Sequence, residues 1–177
     1  MPADVKAGLG AILGCLVVAA AGCGYHVAGK ADLLPRKVQT IAVPAFANAT
    51  IRYRLTDLLA GAITREFISR TRYQIVSDPG AADAVLHGSV VNYASYPIIF
   101  NAGTGRASSI QMSVILNVTL QERTTGAVLY QRNAMDFRER YEISVDPAAY
   151  FEESDPALDR LSRDVARSVV SAILERF

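Results

Sequence analysis

The stretch that decides the fold is IQMSVILNVTLQ, residues 110–121. Apolar side chains occupy every second position, and they are Ile110, Met112, Val114, Leu116, Val118 and Leu120. The intervening residues are polar except for Ile115. This alternation predicts a β-strand with one face buried and the other face in contact with water or a polar partner.

The sequence on either side predicts more strands. Residues 122–127, ERTTGA, form a hairpin turn in which Gly126 can take a positive φ, and residues 128–143 return as the partner strand. Its alternation is irregular at 132–134, which indicates a β-bulge. Residues 83–93 predict another strand, whereas the proline, glycines and serines of 94–109 predict a loop or an irregular hairpin tip.

Two amphipathic helices flank this run of strands. Apolar residues recur at helical spacing within 53–70, and Asp155 and Pro156 open the second helix as its N-cap and first residue. Short strands are predicted at 38–43 and 73–77. The order predicts an α+β fold, a two-layer sandwich in which two helices pack on one face of a mixed, mostly antiparallel sheet of four to five strands.

The N-terminal segment has a different character. Lys6 precedes an uncharged run at 7–22, which is shorter than the roughly 20 residues that a spanning helix needs. A basic residue, an apolar run and then small residues are typical of a secretory signal, and a retained membrane anchor is the alternative. Residues 20–23, AAGC, resemble a lipobox, although Ala20 stands where leucine is usual.

Two cysteines compete as the processed residue. Cys15 follows Ile12-Leu13-Gly14, but its apolar run is only about eight residues, near the lower limit for a signal. We favour Cys23, because polar sequence begins directly after it. The chain then divides into a signal peptide at 1–22, a lipidated tether at 23–36 and one domain at 37–177.

Cleavage before Cys23 would determine what happens to both cysteines. Cys15 leaves with the signal, and Cys23 carries a covalent diacylglycerol and an N-linked acyl chain such as palmitate, so neither a disulfide nor a cysteine metal site is expected within the monomer. Gly24 follows the cysteine where an inner-membrane lipoprotein usually has aspartate. By resemblance to bacterial lipoproteins, this indicates the periplasmic face of the outer membrane.

Composition limits the partners. The chain has 177 residues, of which 51% are hydrophobic, so it can form one ordinary domain with a real core. Its net charge is only +1, so the sequence lacks the excess of basic residues that is typical of proteins that bind nucleic acid.

The sequence contains no recognisable catalytic or metal-binding constellation. The two histidines, His26 and His87, lack the spacing of metal ligands, and no nucleophile elbow is present. GTGR at 103–106 lacks the lysine and hydroxyl residue of a phosphate loop, so it predicts a turn. The acidic residues near the second helix start, Glu152, Glu153 and Asp155, are explained by the helix dipole. We therefore predict neither an enzyme nor a metal or other cofactor.

The arginines are the main candidates for binding an anion. Arg132, Arg138 and Arg140 share parity on one strand, so in a regular strand they would point to the same face. Arg106 borders the predicted loop, and Arg123 lies at the hairpin turn. The planar fork of arginine suits phosphate, and the alternative is a solvated face shared with the acids Asp136, Glu139 and Glu142.

The predicted loop at 94–109 carries exposed apolar candidates. They indicate a partner surface, and they are Tyr96, Ile98, Ile99 and Phe100.

Several stretches together resemble the LptE family of lipopolysaccharide-assembly lipoproteins. The resemblance covers nearly all of 23–177, and the stretches that carry it are CGYHVAG at 23–29, IAVPAFANAT at 41–50, TGRASS at 104–109, VILNVTLQERTTGAVLYQ at 114–131 and FRERYEIS at 137–144. The resemblance implies a non-enzymatic protein tethered to the inner leaflet of the outer membrane. It also implies two partners: the LptD β-barrel, which the protein plugs and helps to assemble, and lipopolysaccharide.

The resemblance also suggests roles for the candidate residues. In the family, basic residues at the sheet edge and tip contact lipopolysaccharide, which makes the five arginines above candidates without a residue-by-residue match. The apolar residues at 96 and 98–100 would contact the barrel or an acyl chain.

Other lipoproteins with a similar layout activate a peptidoglycan synthase or serve as secretion-complex subunits, and this is the alternative function. A lipoprotein hydrolase is a third option, which would need a polar pocket with a perturbed acid or base.

Overall fold

The computed structural model describes residues 34–35, 37–143 and 154–175. The elements are β1 (Thr40–Ala42), β2 (Ala47–Asn48), α1 (Tyr53–Arg70), β3 (Gln74–Val76), a 3-10 turn (Pro79–Ala81), β4 (Ala84–Phe100), β5 (Ala107–Glu122), β6 (Val128–Glu142) and α2 (Ser154–Leu174). The signal peptide, Cys15, Cys23, His26, Glu152, Glu153 and nearly all of the tether lie outside the described residues.

The strands form one mixed sheet in the order β3-β1-β4-β5-β6, and β2 pairs with β4 further along the same edge. β1 is parallel to β3 and β4, whereas β4, β5 and β6 are antiparallel. The predicted α+β sandwich is confirmed. Within the described residues the sheet has six strands, not four to five, because the two-residue β2 carries too little sequence pattern to be recognised.

The two helices cover one face of the sheet and pack against each other. The apolar side of α1 is fully buried at Leu55, Leu59, Ile63 and Phe67. The apolar side of α2 is fully buried at Val165, Val169 and Ile173. Burying an apolar side chain of this size contributes roughly 1.5–3 kcal/mol, so this layer is the main source of stability. The helix α2 begins at Ser154, which places Asp155 in its first turn and not at the N-cap.

We call the end of the sheet at which β4 begins the proximal end. Here the carboxylate of Asp83, next to β4, holds the start of β1. Asp83 Oδ2 accepts hydrogen bonds of 2.9 Å from the backbone N–H groups of Gln39 and Thr40 and from the Thr40 hydroxyl. The Asp83 N–H donates in return to the Thr40 hydroxyl at 2.8 Å. These bonds, led by the one from Gln39, lower the pKa of Asp83. The tether joins the domain at this end, where the buried Leu34 N–H donates to the Tyr73 hydroxyl at 2.8 Å.

One close approach in the core requires a glycine. Phe46, in the connection between β1 and β2, is only 4% exposed. A Cβ atom added to Gly88 would lie 2.2 Å from Cε2 of the Phe46 ring. The absence of a side chain at Gly88 therefore allows the ring to pack directly on β4.

Of the two alternatives predicted for 94–109, the loop is wrong and the irregular hairpin tip is confirmed. β4 continues to Phe100 and β5 starts at Ala107, so the turn is limited to 101–106. The pairing shifts register at Val90/Asn92, Pro97/Ile99 and Ile99/Phe100. The strand tolerates Pro97, which lacks an N–H donor, because β4 is an edge strand at this position: within the described chain it pairs only with β5.

Candidate functional site

The candidate site is the part of the sheet that extends past β1 and β2. The last pair between β2 and β4 is Asn48 with Val90. Beyond it, residues 92–100, 107–115 and 136–142 form a three-stranded ribbon, which we call the distal ribbon. Nine residues of strand extend about 30 Å, so the ribbon projects well beyond the parallel part of the sheet.

The distal ribbon has two different faces. Met112 and Val114 are fully buried on the face that the helices cover. The opposite face, here called the open face, carries rows of directly paired residues, because residues opposite each other in antiparallel strands share a face. One row is Tyr96-Gln111-Arg140, and the next is Ala94-Ser113-Arg138.

Arg138 is already paired within the open face. Its Nη2 and Nε donate to Asp136 Oδ2 at 2.7 and 3.1 Å, and Ser113 Oγ lies 3.0 Å from Asp136 Oδ1. The hydrogen bonds from Arg138, followed by the one from Ser113, lower the pKa of Asp136. An anionic ligand would have to compete with this carboxylate for Arg138.

Arg140 has no such partner. Its neighbours in the row are joined to each other, because Gln111 Nε2 donates to the Tyr96 hydroxyl at 2.8 Å. The exposed Arg140 guanidinium makes no ion pair or hydrogen bond within the described part of the chain. Among the described residues, the open face therefore presents one arginine without a direct partner, beside the Tyr96–Gln111 pair, and Glu142 follows it two residues later on the same face.

Arg106 lies at the tip of the distal ribbon. In the turn, Asn101 Oδ1 accepts from the Gly103 and Thr104 N–H groups at 3.0 Å, and Gly105 has φ +64°. The prediction that 103–106 forms a turn is thus confirmed. The exposed Arg106 is five residues from Gln111, which places it about 17 Å from the Arg140 row along the strand direction.

The other two arginines lie elsewhere. Arg123 is at the proximal end, where its Nε donates to the Ala82 carbonyl at 2.7 Å. Arg132 pairs with Val118, which is fully buried on the helix-covered face. The predicted bulge at 132–134 is confirmed by a register shift, and it reverses the alternation of β6. Arg132 therefore does not share a face with Arg138 and Arg140, unlike in a regular strand.

The four apolar candidates belong to β4 and not to a loop. Tyr96, Ile99 and Phe100 are 41%, 47% and 58% exposed, and Ile98 is partly buried. They follow the edge of the distal ribbon towards Arg106. The alternative that the arginines share a solvated face with acids is confirmed for Arg138, which pairs with Asp136 two residues away on the same strand.

His87 lies on the open face near the proximal end, between two shallow grooves of about 330 and 360 Å³. The first groove is lined by uncharged groups that include Ser89, Asn117 and Thr119. No group of three potential metal ligands occurs among the described residues. No helix in the same residues is both long and apolar enough to cross a membrane.

Residues 38–173 match the family model described as lipopolysaccharide-assembly, LptE. This chain belongs to the LptE family. Membership assigns it to lipopolysaccharide assembly and confirms the family resemblance of the sequence. The search of curated proteins finds no match.

Solved structures share the fold of this LptE-family chain at low identity. XCC0632 from Xanthomonas campestris is 16% identical with a TM-score of 0.55, covering 82% of this chain and 90% of that one. Lipoprotein B from Nitrosomonas europaea is 15% identical with a TM-score of 0.52, covering 86% and 96%. PelC from Paraburkholderia phytofirmans, a dodecamer, is 14% identical with a TM-score of 0.51, covering 82% and 94%. Identities this low show the fold alone.

Proposed function

We propose that this protein is an outer-membrane lipoprotein, acylated on Cys23, that plugs an LptD-like β-barrel and helps to assemble it. It binds lipopolysaccharide through the open face of the distal ribbon and assists insertion into the outer leaflet, without catalysing a reaction. The observation that carries the proposal is the polar open face, on which Arg140 has no direct partner among the described residues.

The open face carries polar groups that suit contact with a hydrated protein wall. Its proximal part includes the neutral, polar row His87-Thr119-Gln131. Polar groups of this kind can exchange bonds with water or with a partner without leaving a charge buried, and interfaces that retain water are not necessarily weak. This supports contact with the polar interior of a barrel.

Three arginines supply the contacts with phosphate. A guanidinium binds phosphate through two parallel N–H···O bonds, which fixes orientation as well as adding energy. Arg140 is the principal contact because it is unpaired, and Arg106 is the second. Arg138 contributes when an anion replaces Asp136. The apolar Ile99 and Phe100 near the tip could contact acyl chains.

The tether would hold the domain at the membrane. Each buried methylene of an acyl chain contributes about 0.8 kcal/mol, and two or more chains give stable anchoring. The attachment of the tether beside Tyr73, at the proximal end, leaves the distal ribbon free to extend away from the anchored end.

Binding to lipopolysaccharide tests the ligand contact. Arg140→Gln removes the charge and should lower affinity about 10- to 100-fold, which corresponds to a charged hydrogen bond of about 1.5–3 kcal/mol. Arg132→Gln is the matched control, since Arg132 is an exposed arginine of the same strand on the other side of the bulge. Equal losses in both variants, or none in Arg140→Gln, would rule out the open face as the binding surface.

An affinity pull-down from detergent-solubilised outer membranes, followed by mass spectrometry, tests the partner. A stoichiometric large β-barrel protein supports the plug. Recovery of a peptidoglycan synthase without a barrel would instead support the alternative of an enzyme-activating lipoprotein.

A further inference from the structure

The open face contains a set of anion-binding donors that a carboxylate of the same chain already occupies. Nε and Nη2 of Arg138 donate to Asp136 Oδ2 at 3.1 and 2.7 Å, and the Ser113 hydroxyl donates to Asp136 Oδ1 at 3.0 Å. A guanidinium fork with a hydroxyl beside it can bind the oxygens of a phosphate group in the same way. Asp136 therefore takes donors that an external anion can also use.

The pair is exposed enough to open at little cost. The side chains of Arg138 and Asp136 are 62% and 38% exposed. Exposed ion pairs are weak because water competes for both partners. When the Asp136 carboxylate leaves Arg138 it returns to water, so no charge is left buried and unpaired. An arriving anion can thus replace it.

Asp136 competes in its charged form. The hydrogen bonds from Arg138, followed by the one from Ser113, hold the pKa of Asp136 below the ordinary value of a carboxyl. The carboxylate is therefore ionised at neutral pH, and an incoming phosphate meets a charged competitor for the same guanidinium.

Arg140 lies next to this pair and has no direct partner among the described residues. It is two residues further along β6 on the same face, which is about 7 Å. The two arginine side chains are long enough to reach one phosphate group from these positions. An anion can therefore bind Arg140 first and then compete with Asp136 for Arg138.

We propose that Asp136 is an internal competitor that holds Arg138 in reserve and so sets how long the open face retains an anionic ligand. The inference rests on the proposed function and adds a release step to the same site. A protein that passes a ligand on must bind it well enough to capture it and weakly enough to let it leave. Return of the Asp136 carboxylate to Arg138 favours departure of the ligand, so the effect should lie mainly in the dissociation rate.

Binding of purified lipopolysaccharide to the full protein in detergent tests the competitor. Asp136→Asn should raise the affinity about three- to tenfold, mainly by slowing dissociation, because the exposed pair that opposes binding is weak. Glu142→Gln is the matched control. It removes the same charge from the same face of β6 and is closer in the strand to Arg140 than Asp136 is. Equal gains in both variants, or no gain in Asp136→Asn, would overturn the proposal.

A double-mutant cycle separates competition from a general effect of charge. In an Arg138→Gln background, Asp136→Asn should give no gain, because no guanidinium is left to be released. A purely electrostatic effect of Asp136 on the ligand would persist in that background, and such a result would overturn the proposal. Thermal melts of all variants should match the parent, since both side chains are exposed.

Inorganic pyrophosphate provides a test that does not require lipopolysaccharide. The Nε–H signals of Arg138 and Arg140 can be followed by nuclear magnetic resonance and assigned with the two Arg→Gln variants. In the parent, the Arg140 signal should shift at lower pyrophosphate concentration than the Arg138 signal. In Asp136→Asn, both signals should shift over the same range. Simultaneous shifts in the parent, or no shift of Arg138 in Asp136→Asn, would overturn the competition.

The two measurements distinguish this inference from the proposed function. If pyrophosphate gives the expected order but the protein does not bind lipopolysaccharide, the proposed function fails and the competition stands. If lipopolysaccharide binds through Arg140 but Asp136→Asn changes neither affinity nor dissociation rate, the competition alone is wrong.

Discussion

Substituting Gly88 by alanine should strain the core at a known place. The added Cβ would lie 2.2 Å from the Phe46 ring, whereas carbon atoms in contact are about 3.5–4.0 Å apart. Either the ring or β4 must therefore move by more than about 1 Å, and overpacking of this kind costs about 1–3 kcal/mol. Alanine recovers about 0.5–1 kcal/mol relative to glycine in a strand. The net loss should be about 1–2 kcal/mol.

Urea unfolding followed by circular dichroism measures this loss, and the melting temperature should fall by roughly 2–8 °C. The same change at Gly61, in the middle of α1, is the control. The nearest atom to its added Cβ is Arg65 Nη1 at 3.4 Å, and alanine should stabilise the helix by up to about 1 kcal/mol.

A double-mutant cycle tests whether Phe46 is the cause. Phe46→Leu alone destabilises the core, but it also removes the ring atoms that the new Cβ would meet. The double variant should therefore be more stable than the sum of the single effects predicts, by at least about 1 kcal/mol. Additive effects, or a Gly88→Ala variant as stable as the parent, would refute the reasoning.

Three further changes have defined outcomes. Asp83→Asn should lower the free energy of unfolding at neutral pH by about 2 kcal/mol, because the carboxylate that holds Thr40 is lost. Since folding lowers the pKa of Asp83, its contribution is present above about pH 4 and is lost as the pH falls through the lowered pKa, so acid titration of both proteins should show the difference shrinking. Ala134→Gly should stabilise the protein by about 1 kcal/mol in thermal melts, because Ala134 has φ 53°, which is strained for alanine, and an unchanged melt would contradict this strain. Tyr73→Phe removes the acceptor of the buried Leu34 N–H and should speed limited proteolysis beside the tether, whereas an unchanged cleavage rate would show that this bond does not hold the segment.

The sequence predicted the fold best where its periodicity was long and regular. The strand at 110–121, both helices and the bulge at 132–134 all lie where the pattern placed them. Where local chemistry left a loop and an irregular hairpin tip open, the loop was wrong because sheet pairing prevailed. Pro97 and two glycines suggested that 94–109 was irregular, yet β4 and β5 continue through most of it, because an edge strand can bulge around a proline.

The candidate site was less predictable for a different reason. The face of the sheet on which a strand residue lies alternates along the strand, and one extra residue reverses it. The bulge at 132–134 therefore places Arg132 and Arg140 on opposite faces. The role of Arg123 depends on the Ala82 carbonyl, 41 positions earlier. Long-range partners of this kind leave no local pattern in the sequence.

The position of α2 in the chain has a consequence for the order of assembly. This helix is the last described element, yet its buried stripe completes the core over β5 and β6 and packs against α1. Arg54 of α1 pairs with Asp155 at 2.5 Å, across 101 positions. While a ribosome makes the chain from its N-terminus, the apolar faces of α1 and the sheet lack their cover until α2 has been made. The nascent protein should therefore depend on a holding chaperone, and truncation before α2 should leave it prone to aggregation even though every strand is present.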